Sequence, residues 1–421
     1  MKNVLAAILL LAAPAMAQAD SPDLIVALEA GDVIALQGLS SGETAEARMA
    51  RGALAALRGE DETALADLVA AGQDPALGPA LIRLAWTNAA GVYLRQGRFS
   101  LAAEAFDAAN AAAPEPDAAA AASAEQARKF ARTASAAQPM QATVAPFGAA
   151  QVTRDLAGLP RALALVNGTP QEAVLDTGAN YSTIMASVAE TLGLRMLEGG
   201  ISVGASGNDE VGGQIAIADR MSFAGADLTD VVFIVLPDED LSFADGAYTI
   251  PVIIGLPVFA RLGRVSFERE GEAERLSHTA SGAGWSEASN LIFSGLAPIV
   301  LLEANGYPMR MFIDSGATES HLTPRAVADY PALLEGAGAG STRIGGAGGD
   351  KVFEDAAIIP SLSVNIAGEV VELSDIHVLG DSVDGRHGLI GQDVLNAANG
   401  YVIDFGARRF ELRTSSAPPT E

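Results

Sequence analysis

Asp176-Thr177-Gly178-Ala179 and Asp314-Ser315-Gly316-Ala317 are one short phrase written twice, 138 residues apart in a chain of 421. The register continues upstream, where Asn167-Gly168-Thr169-Pro170 answers Asn305-Gly306-Tyr307-Pro308, and downstream, where Ser182 answers Ser320. An apolar run precedes each aspartate, Ala173-Val174-Leu175 and Met311-Phe312-Ile313. An apolar pair with a glycine follows each, Ile253-Ile254-Gly255 and Leu389-Ile390-Gly391, at Asp-to-Gly intervals of 79 and 77 residues. A single Asp-Thr-Gly is what ordinary turns produce. Two in a common register are a duplicated unit with one carboxylate per copy.

Two carboxylates in one site are a device for acid–base hydrolysis. Close together they cannot both ionise cheaply, so they share a proton and titrate as a pair. The ionised member takes a proton from water while the protonated one polarises a carbonyl. Asp176 and Asp314 are therefore the candidate catalytic pair. Gly178 and Gly316 let backbone amides approach the carboxylates, and Ser182 and Ser320 are placed for supporting hydrogen bonds.

The texture around these phrases is β. Expected strands are Ala162–Val166, Ala173–Leu175, Val231–Leu236 and Val265–Glu268 in the first copy. In the second they are Ile299–Leu302, Arg310–Ile313, Ile376–Leu379 and Tyr401–Phe405. Asn167-Gly168 and Asn305-Gly306 are hairpin turns by composition. Short helices are expected at Ala186–Leu192, Pro257–Leu262, Pro324–Asp329 and Gln392–Ala397. The polar stretch 271–290 reads as a linker between the halves, which run 150–270 and 291–413 and leave a tail at 414–421.

With these residues in view, the chain resembles the aspartic proteases. Ala179 and Ala317 after each glycine, and the compact copies, make it most similar to their retropepsin-like branch, here as two units fused in one polypeptide. The resemblance implies a mainly β fold, a bilobed pair of barrels, and an aspartic endopeptidase acting on a peptide or protein substrate. It also implies that Thr177 and Ser315 bond across the lobe interface, and that the Ile253-Ile254-Gly255 and Leu389-Ile390-Gly391 runs pass beneath the aspartate loops. The family places a flap where this chain has Gly204-Ala205-Ser206-Gly207 and Gly345-Gly346-Ala347-Gly348. Such tips close over an extended peptide bound as an added strand. The first flap segment lacks the tyrosine of the pepsin pattern, and Glu319 and His321 stand where the first copy has Tyr181 and Thr183. His321 reads as a turn or surface histidine.

The remainder of the chain is different. Met1 to Ala19 has Lys2, an apolar run from Val4 to Ala13 and small residues before the end, the pattern of a signal peptide for export to the periplasm or outside. That run is too short to span a bilayer, and no later stretch spans one. Residues 20–135 are rich in alanine, leucine and glutamate, with Gly31, Gly59, Gly72 and Gly97 read as turns between short helices. Trp86, Tyr93, Gly97, Phe99, Ala102, Phe106, Ala109 and Pro114 sit where a tetratricopeptide repeat places its large, small and terminating residues. A small all-α domain of this kind is a surface for a protein partner or for the rest of the chain. Residues 136–149 read as its linker.

A net charge of −26 opposes nucleic-acid phosphate and anionic lipid. With no cysteine there is no disulfide, thiolate nucleophile or thiolate metal site, and the four histidines show no metal-ligand spacing, so no cofactor is expected. A serine-hydrolase reading lacks its Gly-x-Ser-x-Gly phrase. Two readings keep the fold: a homodimer in which each half pairs with its twin, and an inactive peptide-binding scaffold.

Overall fold

Among the described residues, seven helices, Pro22–Ala30, Val33–Leu39, Ala45–Leu57, Asp61–Gly72, Pro79–Arg95, Phe99–Ala112 and Ala118–Thr133, form the N-terminal part of the chain. A computed structural model describes residues 21–204, 211–271, 273–282, 284–346, 349–380 and 385–413, so the signal reading of 1–19 lies outside it. No helix there is long and apolar enough to cross a membrane. Local chemistry sets the helix starts. Asp32 accepts from the amides of Ile34 and Ala35 at 3.0 Å, Thr44 from Ala47 at 3.1 Å and Asp117 from Ala120 at 2.8 Å. Prolines begin Pro22–Ala30 and Pro79–Arg95, where a missing N–H costs nothing.

Gly31, Gly59 and Gly97 turn the chain with positive φ. Gly72 does not. It ends the helix Asp61–Gly72, and a Cβ there would lie 2.6 Å from the indole of Trp86, whose Nε1 donates to the Gly72 carbonyl at 3.1 Å. Its smallness lets two helices approach, a role that turn composition does not reveal.

The rest is β-rich, with the short helices Ala186–Thr191, Leu256–Leu262, Pro324–Asp329 and Gln392–Leu395, so the chain is mainly β with an all-helical region leading into the β-rich part. In the first half, Pro160–Val166 and Thr169–Leu175 form a hairpin through Asn167-Gly168, both at positive φ as a tight primed turn requires. The strand Val252–Ile254 then runs between Thr169–Leu175, to which it is parallel, and Ser182–Met185, to which it is antiparallel. The second half repeats the arrangement. Ala297–Ala304 and Tyr307–Ile313 pair through Asn305-Gly306, and Gly388–Ile390 lies parallel to Tyr307–Ile313 and antiparallel to His321–Leu322. In each half the aspartate thus leaves the end of a strand whose neighbour crosses beneath it.

A shared sheet joins the halves, in the order Arg409–Leu412, Gly400–Asp404, Arg264–Glu270, Ala273–Thr279, Phe147–Arg154. Two stretches read as linkers contribute to the sheets. Ala273–Thr279 is a full strand of this shared sheet, and Gln141–Val144 pairs with Ala226–Leu236. The polar composition of Ala273–Thr279 misleads because His278 and Ser277 are buried, with His278 Nε2 2.8 Å from the Ala224 carbonyl. The strand expected at Ile376–Leu379 is the end of Glu369–His377. One apolar core, from Leu175 and Phe259 to Ile313 and Phe410, runs through both halves.

Candidate active site

Asp176 and Asp314 meet at the junction of the halves. Each leaves its strand with its amide bonded at 3.0 Å to the crossing strand, Asp176 to the Ile254 carbonyl and Asp314 to Ile390. The carboxyl oxygen of Asp176 accepts from the amides of Gly178 at 2.8 Å and Ala179 at 3.1 Å, and that of Asp314 accepts from Gly316 at 2.8 Å. The glycines are compulsory. A Cβ on Gly178 would lie 2.4 Å from the Asp314 carboxyl carbon, and one on Gly316 would lie 2.5 Å from that of Asp176. Each carboxyl is therefore seated on the backbone of the opposite loop, within hydrogen-bonding reach of its twin.

Burial pushes Asp176 above the ordinary carboxyl value, against the bonds from Asp314 and from the amides of Gly178 and Ala179. Burial pushes Asp314 up too, and the charge of Asp176 adds to it, so Asp314 stands well above the usual range. The pair therefore holds one proton between its two carboxyls above the pH at which an ordinary carboxyl would lose it.

Thr177 and Ser315 lock the two loops together. The Thr177 amide donates to Ser315 Oγ at 2.9 Å and the Ser315 amide to Thr177 Oγ1 at 3.0 Å. Each hydroxyl in turn donates a hydrogen bond to a carbonyl of the other half, Thr177 to Ile313 at 3.1 Å and Ser315 to Leu175 at 2.8 Å. Beneath them, Gly255 donates to Ser182 Oγ at 3.2 Å and Gly391 to Ser320 Oγ at 2.9 Å. A Cβ on Gly255 would lie 2.6 Å from the Tyr181 backbone and one on Gly391 2.8 Å from the Glu319 backbone, so both crossings admit only glycine.

Of the flap residues, Gly204 closes the short strand Ile201–Val203, and Gly345 and Gly346 end the strand Gly338–Gly346, which pairs with Gly349–Ile366. Ala205, Ser206, Gly207, Ala347 and Gly348 lie outside the described residues. His321 is not a surface turn. It sits in the strand His321–Leu322, where burial and then the charge of Arg386 hold its pKa down at about 4.

Four supporting residues escaped the sequence reading. Asp393 accepts from the amide of Ser320 at 2.9 Å and from its hydroxyl at 2.5 Å. Gln392 donates to the Ser315 carbonyl at 2.6 Å and accepts from Arg154 at 2.7 Å. Arg154 also donates to Glu274 at 2.7 Å, tying the shared sheet to the catalytic loop. Gln392-Asp393 follows Gly391 where Leu256-Pro257 follows Gly255. That break in an otherwise matched register was the available signal for two of the four.

Residues 162–258 match the aspartyl protease family model. The match spans the first aspartate phrase, its hairpin and the crossing strand with Gly255; Asp314 lies beyond it. Among solved structures, a retropepsin-like aspartic protease from Rickettsia conorii is similar at 14% identity, over 34% of this chain and 96% of that one, with a TM-score of 0.21. No curated protein matches the sequence.

Proposed function

We propose that this chain is an aspartic peptidase whose two catalytic carboxyls, Asp176 and Asp314, come from two fused retropepsin-like units, with residues 291–413 as the second. The observation that carries the reading is the mutual seating of the two carboxyls on Gly178 and Gly316 of the opposite loops. Water held between the carboxyls loses a proton to Asp176 and attacks the scissile carbonyl. Asp314 donates its proton to the carbonyl oxygen; as the C–N bond breaks, Asp176 passes the water proton to the departing amine and a hydroxyl of the gem-diol returns one to Asp314. Both halves of the pair belong to one chain, which favours this reading over pairing between two copies.

The same proposal takes residues 20–135 as a tetratricopeptide-like domain, Met1 to Ala19 as an export signal to the periplasm or beyond, and the glycine-rich hairpin tips as flaps over the substrate. Digestion of a peptide library by wild type, Asp176→Asn and Asp314→Asn tests the catalytic part. Each single variant should fold, by circular dichroism, and lose about 10²–10⁴-fold in rate. Near wild-type cleavage by either would sink the shared pair.

A further inference from the structure

On the peptidase reading a substrate crosses both aspartate loops, and the surfaces that flank the two loops are not equivalent: the helical region covers one and not the other. On a strand, residues two apart share a face. Phe312 and Arg310 therefore share one face of the strand Tyr307–Ile313, which ends at Asp314, and Val174 and Glu172 share one face of Thr169–Leu175, which ends at Asp176. In the first half Val174 is covered by its own half, within a cluster containing Leu159 and Ile250, and Glu172 is exposed. In the second half Phe312 lies in one apolar cluster with Leu54, Leu57 and Leu84 of the helices, and its strand partner Leu389 packs against that cluster. Arg310 donates to the carbonyl of Ala30 at the first helix end.

Five residues past each aspartate the contrast recurs. Glu319 is exposed. Tyr181, its counterpart, stacks on Phe130 at 4.5 Å between ring centres, lies 6.1 Å from Phe99, and directs its hydroxyl at the Leu94 carbonyl at 3.4 Å. Tyr181 and Phe312 belong to different halves yet meet the same helical region. Arg95 braces the same junction from the helices by donating to the Gly295 carbonyl at 2.8 Å.

We infer that the helical region walls off the arm of the groove bounded by Tyr181, Phe312 and Leu389, so that this peptidase cuts close to one end of its substrate. This rests on the peptidase reading and narrows the endopeptidase expectation. The contacts are mainly apolar, with the three hydrogen bonds of Arg310, Tyr181 and Arg95 beside them, and are distributed over several helices. A short connection leads from the last helix into the strand Gln141–Val144 of the first half. That is the construction of a fixed wall. Phe312 is two residues from Asp314, about 7 Å along a strand, which is the length of roughly two extended residues. The walled arm holds one or two substrate residues, and the arm bounded by Val174, Ile253 and Glu319 holds the remainder.

The test uses the full chain. Twelve-residue peptides are digested and every product is sized by mass spectrometry. In parallel, affinities are measured for statine peptides carrying one residue on each side, or four on the first side, the second side, or both. Cuts should leave one or two residues, always on the same side. Extending the statine on one side should tighten binding about tenfold or more, and extending it on the other should not. Long fragments on both sides, or a gain from each extension, would overturn the walled arm and leave the peptidase standing. If nothing is cut, the statine series decides alone. If nothing is cut and no statine binds, the peptidase reading falls and takes this inference with it.

Discussion

Thr177 and Ser315 exchange amide hydrogen bonds across the junction, each hydroxyl accepting from the other's backbone at 2.9 to 3.0 Å while donating to a carbonyl of the opposite half. Four buried backbone groups are satisfied by two small side chains. Thr177→Val or Ser315→Ala strands a buried amide and a carbonyl at once. Each should cost about 1–3 kcal/mol in denaturant unfolding and lower kcat, because an unmade buried bond carries its full desolvation penalty. Thr177→Ser keeps the hydroxyl and should keep both stability and rate.

Gly178→Ala and Gly316→Ala put a methyl carbon inside the opposite carboxyl. Activity should be lost in either, with far-ultraviolet dichroism unchanged. Gly38→Ala is the control. Nothing lies within 4 Å of a Cβ there and the residue is helical, so stability should rise by about 0.5–1 kcal/mol with activity intact.

The carboxyl pair gives a pH signature with a definite sign. Both pKa values are raised in the fold, so the folded state holds a proton that the unfolded chain releases. The pair's contribution to stability is present below the unfolded carboxyl range and is lost as pH rises toward the folded values. Asp314→Asn should therefore raise the melting temperature at neutral pH while abolishing cleavage. An unchanged or lower melting temperature would contradict the forced burial of charge. Wild-type activity should fall on the alkaline side as the shared proton leaves.

His321 and His387 act on the acid side. Burial lowers both, His321 to about 4, so the unfolded chain takes up protons that the fold refuses. Below the ordinary histidine value of about 6.5 stability should fall with pH, by at most about 1.4 kcal/mol per pH unit for each group, until the folded value is passed. His321→Asn should flatten that slope between pH 6.5 and 4 in thermal melts.

Arg154 holds Glu274 and Gln392 together beneath the catalytic loop. Arg154→Met leaves the largely buried Glu274 without its cation and should cost about 3 kcal/mol. Glu274→Gln in the same chain should restore part of it, and kcat should follow because Gln392 holds the Ser315 carbonyl.

The duplicated phrase was legible because everything it needs is local: an Asn-Gly turn, an apolar strand, an aspartate and a glycine at fixed offsets. Helix starts are as local, since Thr44 and Asp117 act on amides three residues away, but neither cap was singled out in the sequence. The strand Ala273–Thr279 was not legible, since its polar residues are paired by partners far along the chain, as His278 is by Ala224. Gly72 was misread because what restricts it is Trp86 on the next helix.

By itself the sequence determined that two aspartates stand at equivalent positions in two similar units, since period and turn chemistry are written in neighbouring residues. Only the tertiary structure decided that the carboxyls face each other, that Arg154 reaches Gln392, and that helices cover Phe312 and Tyr181 but leave Glu319 exposed. Those contacts join residues from about fifty to more than two hundred positions apart. Their energy depends on which surfaces are excluded from water together, and no local pattern records that.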